Sequence, residues 1–168
     1  MLVCDDLGDE WADFIGINGR AQPKTISFYH AKHGNLSLGA SSFHVAVSQA
    51  IKNLGCMTLA AEAIESKLPT WSRAYSNGNV QTLIPRIVRG DAATIQQRAA
   101  DARLSPDSIR RVFIVTSSLS RRQLEQTLAD IGAGTAPKPH FVQLYWLLTS
   151  YFSACTEVGA YGYVVCQE

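Results

Sequence analysis

Residue types that catalyse hydrolysis occur in order within the first third of the chain: Asp13, His30, Lys32 and Gln49. His30 and Lys32 end a strand-like segment over 24–32 in which the alternate positions on their face are otherwise apolar. A charged or polar group in such a row costs free energy unless it has a partner or a chemical task. We therefore interpret these four residues as candidate catalytic residues.

Antiparallel pairing of two predicted strands brings three of these side chains together. If strands 10–18 and 25–31 pair around the loop between them, the numbers of paired residues add to about 43. Asp13 then lies mid-strand opposite His30, with Lys32 one diagonal step away. The alternative is structural: Asp13 and Lys32 form an ordinary salt bridge, and His30 is a packed imidazole.

Carboxylates in the same neighbourhood offer ligands for a divalent cation. Five of them crowd the first thirteen residues: Asp5, Asp6, Asp9, Glu10 and Asp13. Mg²⁺ prefers oxygen ligands and keeps several waters, so it needs few protein ligands. A cation there polarises a phosphate and lowers the pKa of a water, while a nearby lysine orients or deprotonates that water. The pattern is compatible with phosphodiester hydrolysis.

The order of the remaining elements is typical of a mixed sheet. Predicted strands cover 1–5, 10–18, 25–31, 110–118 and 160–167. Predicted helices cover 43–54, 57–68, about 92–103, 121–132 and about 138–156. Residues 69–90 contain a turn at Asn77-Gly78 and are ambiguous, with room for a short helix. A strand meander followed by helical crossovers predicts an α/β (α+β) fold with a central mixed β-sheet flanked by helices.

Composition limits the class of protein. The chain has 168 residues, 46% of them hydrophobic and 17% charged, which is typical of one globular domain. No apolar run approaches the roughly 18 residues that cross a bilayer. The acidic N-terminus is unlike a signal peptide, so we expect a cytoplasmic protein. The four cysteines are scattered without metal-binding spacing, which favours free thiols over a zinc site.

Charge is segregated along the chain although the net charge is only +1. Arginines cluster in the second half, and four are candidates for nucleic-acid contacts: Arg110, Arg111, Arg121 and Arg122. An acidic focus beside a basic surface fits an enzyme that acts on a polyanion. Ordinary solvated faces explain the same pattern equally well. Trp71 and Tyr75 also have two interpretations: they stack on nucleic-acid bases, or they pack within the fold.

The candidate residues also resemble a known family. Asp13, a strand ending in His30-Ala31-Lys32 and a helix carrying Gln49 resemble the Mrr-like branch of the PD-(D/E)XK restriction-endonuclease superfamily. That branch has an Asp, then Glu/Asp/Gln-x-Lys on the next strand, then a helix with Gln. Residues 112–128 are similar to its segment in which a strand ends in Thr or Ser and a helix follows.

A narrower resemblance concerns the stretches CDDLGDEWADFIGI, ISFYHAKHG and SQAIKNL. They are similar to a nuclease-like domain of large bacterial helicase or restriction-type defence proteins. The resemblance covers about residues 1–55 and 110–130. With Met1 at the start of the first predicted strand, we expect residues 1–168 to be a single nuclease-like domain excised from a longer chain.

The resemblance implies a role for each matched residue. Asp13 would bind Mg²⁺ or Mn²⁺, Lys32 would be the catalytic lysine and Gln49 would support the site, with Glu10 as a further acidic ligand. The departure is His30, which stands where the family usually has Glu, Asp or Gln. Neutral imidazole binds a metal without contributing negative charge and favours Mn²⁺ or Zn²⁺ over Mg²⁺.

These observations predict a divalent-metal-dependent DNA endonuclease domain of a restriction or anti-phage defence protein. His30 would complete the metal shell with Asp13 and Glu10. Its partners would be DNA and other domains of a larger protein, such as a helicase; a homodimer is left open. The alternative is an inactive nuclease-like fold that serves as a DNA-binding or partner-docking module.

Overall fold

The chain folds into eight strands and five α-helices, which a computed structural model describes from Met1 to Glu168. The strands are β1 Leu2–Cys4, β2 Phe14–Asn18, β3 Thr25–Lys32, β4 Ala74–Asn77, β5 Val80–Pro85, β6 Ile87–Arg89, β7 Ile109–Ser120 and β8 Ala160–Gln167. The helices are α1 His44–Lys52, α2 Ala61–Trp71, α3 Ile95–Leu104, α4 Arg121–Gly132 and α5 Pro139–Glu157.

Six of the strands form one mixed sheet in the order β6-β1-β2-β3-β7-β8. The β6-β1-β2-β3 part is antiparallel, whereas β3, β7 and β8 run parallel because helices connect them. β4 and β5 form a separate hairpin. The predicted α/β (α+β) class, a meander followed by crossover strands, is confirmed.

The predicted pairing of β2 with β3 is confirmed from Phe14 to Asn18, but the ladder begins after Asp13 and does not include the predicted pair of Asp13 with His30. Phe14 lies opposite Tyr29 and Ile17 opposite Ile26, and both pairs of numbers add to 43. The hydrophobic pattern fixes this register, because a slip by one residue would turn the buried side chains towards solvent. The C-terminal end of β3, with Lys32, therefore lies beside the start of β2.

One face of the sheet supplies the core. Ile15, Ile26, Phe28 and Val112 are almost fully buried there, and α1, α3 and α5 pack against this face. The opposite face carries a stacked aromatic row of Tyr29, Phe113 and Tyr163, with neighbouring ring centroids 4.8 Å apart. Much of this second face is exposed.

α5 approaches β8 closely at Gly162. A Cβ atom at this glycine would lie 2.9 Å from the Phe152 ring and 3.1 Å from the Tyr151 ring. The absent side chain therefore lets a helix with large aromatic residues pack directly on the strand.

Two sequence-based boundaries are wrong near the candidate site. β2 begins at Phe14 rather than at residue 10, so Asp13 precedes the strand instead of lying mid-strand. The second predicted helix runs over Ala61–Trp71, and Pro69 lies inside its last turn instead of ending it. The ambiguous segment 69–90 forms β4, β5 and β6 after the end of α2.

None of the helices combines the length and the apolar character needed to cross a membrane.

Candidate metal centre

Three carboxylates converge in the loop between β1 and β2. One oxygen from each of Asp6, Glu10 and Asp13 lies within 4.8 Å of the other two. All three residues are half-buried. The loop reverses through Leu7 and Gly8, both with positive φ, which brings Asp6 back beside Asp13. The site is therefore built by one short connection at the end of the sheet.

Asp13 is anchored to β3 through the backbone. Its Oδ2 accepts a hydrogen bond from the amide of Ala31, between His30 and Lys32. Burial raises the pKa of Asp13; the Ala31 hydrogen bond and the charge of Lys32 oppose this rise, and neighbouring Asp6 and Glu10 add to it. A bound cation would relieve the repulsion among these carboxylates.

Glu10 is held from α1 and from its own loop. Gln49 Nε2 donates to Glu10 Oε1 at 3.0 Å, and the amide of Leu7 donates to Oε2 at 3.2 Å. Asn53 Nδ2 donates to the Glu10 carbonyl at 3.1 Å. Gln49 Oε1 is buried without a hydrogen-bond partner. Gln49 thus contacts Glu10, and its role in catalysis stays a prediction.

Asp6 is held by the segment that follows α2. Tyr75 Oη on β4 donates to Asp6 Oδ2 at 2.9 Å. Arg86 Nη1 donates to the Asp6 carbonyl at 2.8 Å and to the Cys4 carbonyl at 3.2 Å, while its guanidinium lies over the Tyr75 ring. Asp6 belongs to the acidic group noted in the sequence, but only Asp13, Glu10 and His30 were assigned individually as metal ligands there. The antiparallel pairing of β1 with β2, in which Cys4 lies opposite Phe14, would have placed it near Asp13.

A buried ion pair between Asp5 and Lys67 connects the acidic loop to α2. Asp5 is 2% exposed and accepts hydrogen bonds from the Trp11 amide at 2.8 Å and from Trp71 Nε1 at 2.7 Å. Lys67 Nζ lies 3.1 Å from Asp5 Oδ2 and stacks over the Trp11 ring. Trp71 is therefore a core residue that cannot stack on bases. This group fixes both ends of the acidic loop to α2.

His30 lies on the buried face of β3, as predicted, with 2% of its surface exposed. It is not one of the three residues whose ligand atoms converge. Its Nε2 is buried without a hydrogen-bond partner. Burial lowers the pKa of His30 to about 4, helped by the charges of Lys32 and Lys52. The imidazole is therefore neutral at physiological pH, and its role as a metal ligand stays a prediction.

The lowered pKa of His30 predicts a loss of stability in acid. The folded state binds this proton more weakly than the unfolded state, so His30 destabilises the fold as pH falls from 6.5 towards 4. Urea unfolding measures how far the free energy of unfolding falls between pH 7 and pH 4. We expect this fall to be smaller in His30→Gln than in the wild type, by on the order of 3 kcal/mol. His44→Gln, at an exposed helix position, is the control. Equal acid sensitivity in His30→Gln and the wild type would contradict the burial of a neutral imidazole.

The four candidate arginines do not form one surface. Arg110 and Arg111 lie at the start of β7, opposite Ile26 and Ser27 in β3. Arg121 and Arg122 follow the last residue of β7. A strand of this length separates the two pairs by roughly 35 Å. Since Lys32 pairs with Thr116, only the second pair lies towards the acidic end of the sheet.

The two pairs of arginines also differ in their environment. The Nε atoms of Arg110 and Arg111 are buried without hydrogen-bond partners. Arg121 is paired with Glu125 at 2.7 Å, although both side chains are largely exposed. Arg122 is exposed. Both arginines at the acidic end are therefore exposed, and Arg122 is the one that forms no salt bridge.

The donor set suits a hard divalent cation. Three carboxylates offer only oxygen atoms, which Mg²⁺ and Mn²⁺ accept, and none of the four cysteines belongs to the group. The charge of Lys32 lowers the pKa of Asp13, but the two side chains do not form a salt bridge. Comparison of the chain with protein families, with curated proteins and with solved structures finds no significant match.

Proposed function

We propose that this protein is a divalent-metal-dependent endonuclease domain that hydrolyses DNA phosphodiester bonds. The observation that carries the proposal is the convergence of Asp6, Glu10 and Asp13 at the end of the sheet. Lys32 ends the adjacent strand β3, and its charge lowers the pKa of Asp13. Carboxylates next to a lysine are the groups that hydrolysis of a phosphodiester needs. The resemblance of Asp13, Lys32 and Gln49 to the PD-(D/E)XK pattern supports the same reaction.

Each residue has a defined task in this proposal. Asp6, Glu10 and Asp13 hold Mg²⁺ or Mn²⁺, which polarises the phosphate and acidifies a water when bound. Lys32 orients the attacking water and stabilises charge on the phosphate as the phosphorus–oxygen bond to the leaving group breaks. Gln49 holds Glu10 in place through its 3.0 Å hydrogen bond.

His30 makes the site different from the usual pattern. It is buried and neutral next to Lys32, so it adds no negative charge to the metal site. Asp6 supplies the carboxylate that the sequence pattern lacks at position 30. If His30 also enters the metal shell, Mn²⁺ is favoured over Mg²⁺, because imidazole suits the softer ion better.

Cleavage of circular plasmid DNA tests the reaction. We expect the protein to nick or linearise the plasmid with Mg²⁺ or Mn²⁺ and to be inactive in EDTA. Lys32→Met should reduce the rate by about a hundredfold or more, because the lysine acts on the reacting phosphate. Lys24→Met is the matched control, since Lys24 precedes β3 at the other end of the same strand. Cleavage that survives Lys32→Met would refute the assignment of Lys32.

The same assay tests the binding-module alternative. A protein that cleaves no DNA with either metal but binds it with strong salt dependence would be a DNA-binding module of the same fold. Within the proposal, the protein works in the cytoplasm in restriction or anti-phage defence, as part of a larger protein with a helicase. Arg122 and Lys32 are the cations that would contact the DNA backbone at the acidic end.

A further inference from the structure

A cleft opens directly beside two of the three carboxylates. It has a volume of about 390 Å³, and Asp6 and Asp13 contribute to its lining. Its first wall is the outer face of the sheet, with Phe14 and Ala31. Pockets that bind small organic groups commonly have volumes of about 300 to 1,000 Å³. The cleft is therefore large enough to bind a group attached to a phosphate at the carboxylates.

The second wall of the cleft comes from the β4–β5 hairpin. Tyr75, Ile84 and Pro85 face the sheet across the cleft, and Tyr75 is tied to Asp6 by its hydrogen bond. Ile84 is 62% exposed although it is apolar. No lysine or arginine lines the cleft. Its walls are thus apolar and aromatic, and the only charges in it are carboxylates.

This lining does not match the surface of a DNA duplex. A duplex presents phosphates and sugars on its outside and keeps the flat faces of its bases stacked inside. An apolar cleft without cations offers no attraction for phosphates. An unpaired base exposes an apolar face that packs well on aliphatic and aromatic side chains.

We infer that the cleft binds an unpaired DNA base next to the phosphate that is cleaved, so that the preferred substrate is single-stranded DNA. This inference rests on the proposed function, because the carboxylates then hold the cation that acts on the adjoining phosphate. The base lies between the sheet wall and the hairpin wall, and the backbone passes over Asp6 and Asp13.

Matched oligonucleotides test the inference. A single-stranded oligonucleotide of mixed sequence and the same strand annealed to its complement are compared in two assays: cleavage with Mn²⁺, and binding by fluorescence anisotropy with Ca²⁺. We expect the single strand to be preferred by about tenfold or more in both assays. Ile84→Asp should reduce this preference to about twofold or less, because a carboxylate in the wall repels the strand.

Leu83→Asp is the matched control, since Leu83 is 98% exposed on the same strand and does not line the cleft. It should leave the preference unchanged, and thermal unfolding should show that both variants are folded. Equal use of both substrates, a duplex preference, or equal effects of the two substitutions would overturn the inference. Cleavage of duplex alone would overturn it while sparing the proposed function. Absence of all cleavage would refute the proposed function, and the binding assay would still decide whether the cleft takes a base.

Discussion

Replacement of Asp5 by alanine is expected to lower the free energy of unfolding by about 3 to 5 kcal/mol, because it leaves a buried ammonium group without its partner. Asp5 and Lys67 are 2% and 6% exposed, and their charged atoms are 3.1 Å apart. The substitution also removes the acceptor for the Trp11 amide and for Trp71 Nε1. Urea unfolding at neutral pH measures the effect.

Two control variants distinguish the loss of the buried ion pair from the loss of a surface charge. Asp9 lies 3.9 Å from the same Lys67, but its side chain is 99% exposed, so Asp9→Ala should change stability by about 0.5 kcal/mol or less. Adding Lys67→Met to Asp5→Ala should recover part of the loss, since no unpaired charge then remains. If Asp5→Ala destabilises no more than Asp9→Ala, Asp5 does not support the acidic loop.

Replacement of Asp13 by asparagine is expected to reduce metal-dependent DNA cleavage by about a hundredfold or more, because a cation ligand is lost. Asparagine keeps an oxygen that accepts the hydrogen bond from the Ala31 amide, so the loop geometry should survive. The expected loss is therefore chemical and not structural. Single-turnover cleavage of DNA with Mn²⁺ measures it.

Asp13→Asn should not destabilise the metal-free protein, although it should lower the rate of cleavage. Because the pKa of Asp13 is raised, the folded state binds this proton more tightly than the unfolded state does. Ionisation of Asp13 therefore costs stability as pH rises through the raised pKa. At neutral pH without metal, Asp13→Asn should melt at the same temperature as the wild type or above it. A clear drop in melting temperature would mean that Asp13 is a structural carboxylate.

Much of the sheet could be predicted from the sequence because side-chain alternation determines register. The pairing of Phe14 with Tyr29 follows from apolar residues that alternate on both strands, and the burial of His30 follows from the same period. The start of α4 at Ser120 was also predictable, since its side chain accepts a backbone hydrogen bond there. Asp91 makes the same kind of cap, but for the short 3-10 turn Ala92–Thr94 that precedes α3.

The acidic loop could be predicted only in part. Glu10 and Asp13 were singled out from the sequence, but Asp6 approaches them because Leu7 and Gly8 take positive φ values, which local composition does not specify for a leucine. The support of the loop by Lys67 and Trp71 is a contact across more than sixty residues. Short-range periodicity carries no information about such a pair.

The β4–β5 hairpin beside the cleft could not be predicted from the sequence for a different reason. β4 and β5 are short and largely exposed, so they lack the alternation between buried and polar residues that marks a strand. Only the Asn77-Gly78 turn indicated a reversal, and Gly78 does take a positive φ. The cleft beside the carboxylates depends on this hairpin, so the proposed binding surface could not be predicted from the sequence.

Titration of the protein with Mn²⁺, followed by calorimetry in metal-free buffer, is the measurement that tests the metal site most directly. The wild type should bind the ion at a site that Asp6→Asn and Asp13→Asn each lose. Asp9→Asn, in the same loop but outside the convergent group, should bind like the wild type. Binding that persists in both Asp6→Asn and Asp13→Asn, or that is absent from the wild type, would contradict a metal centre at these carboxylates.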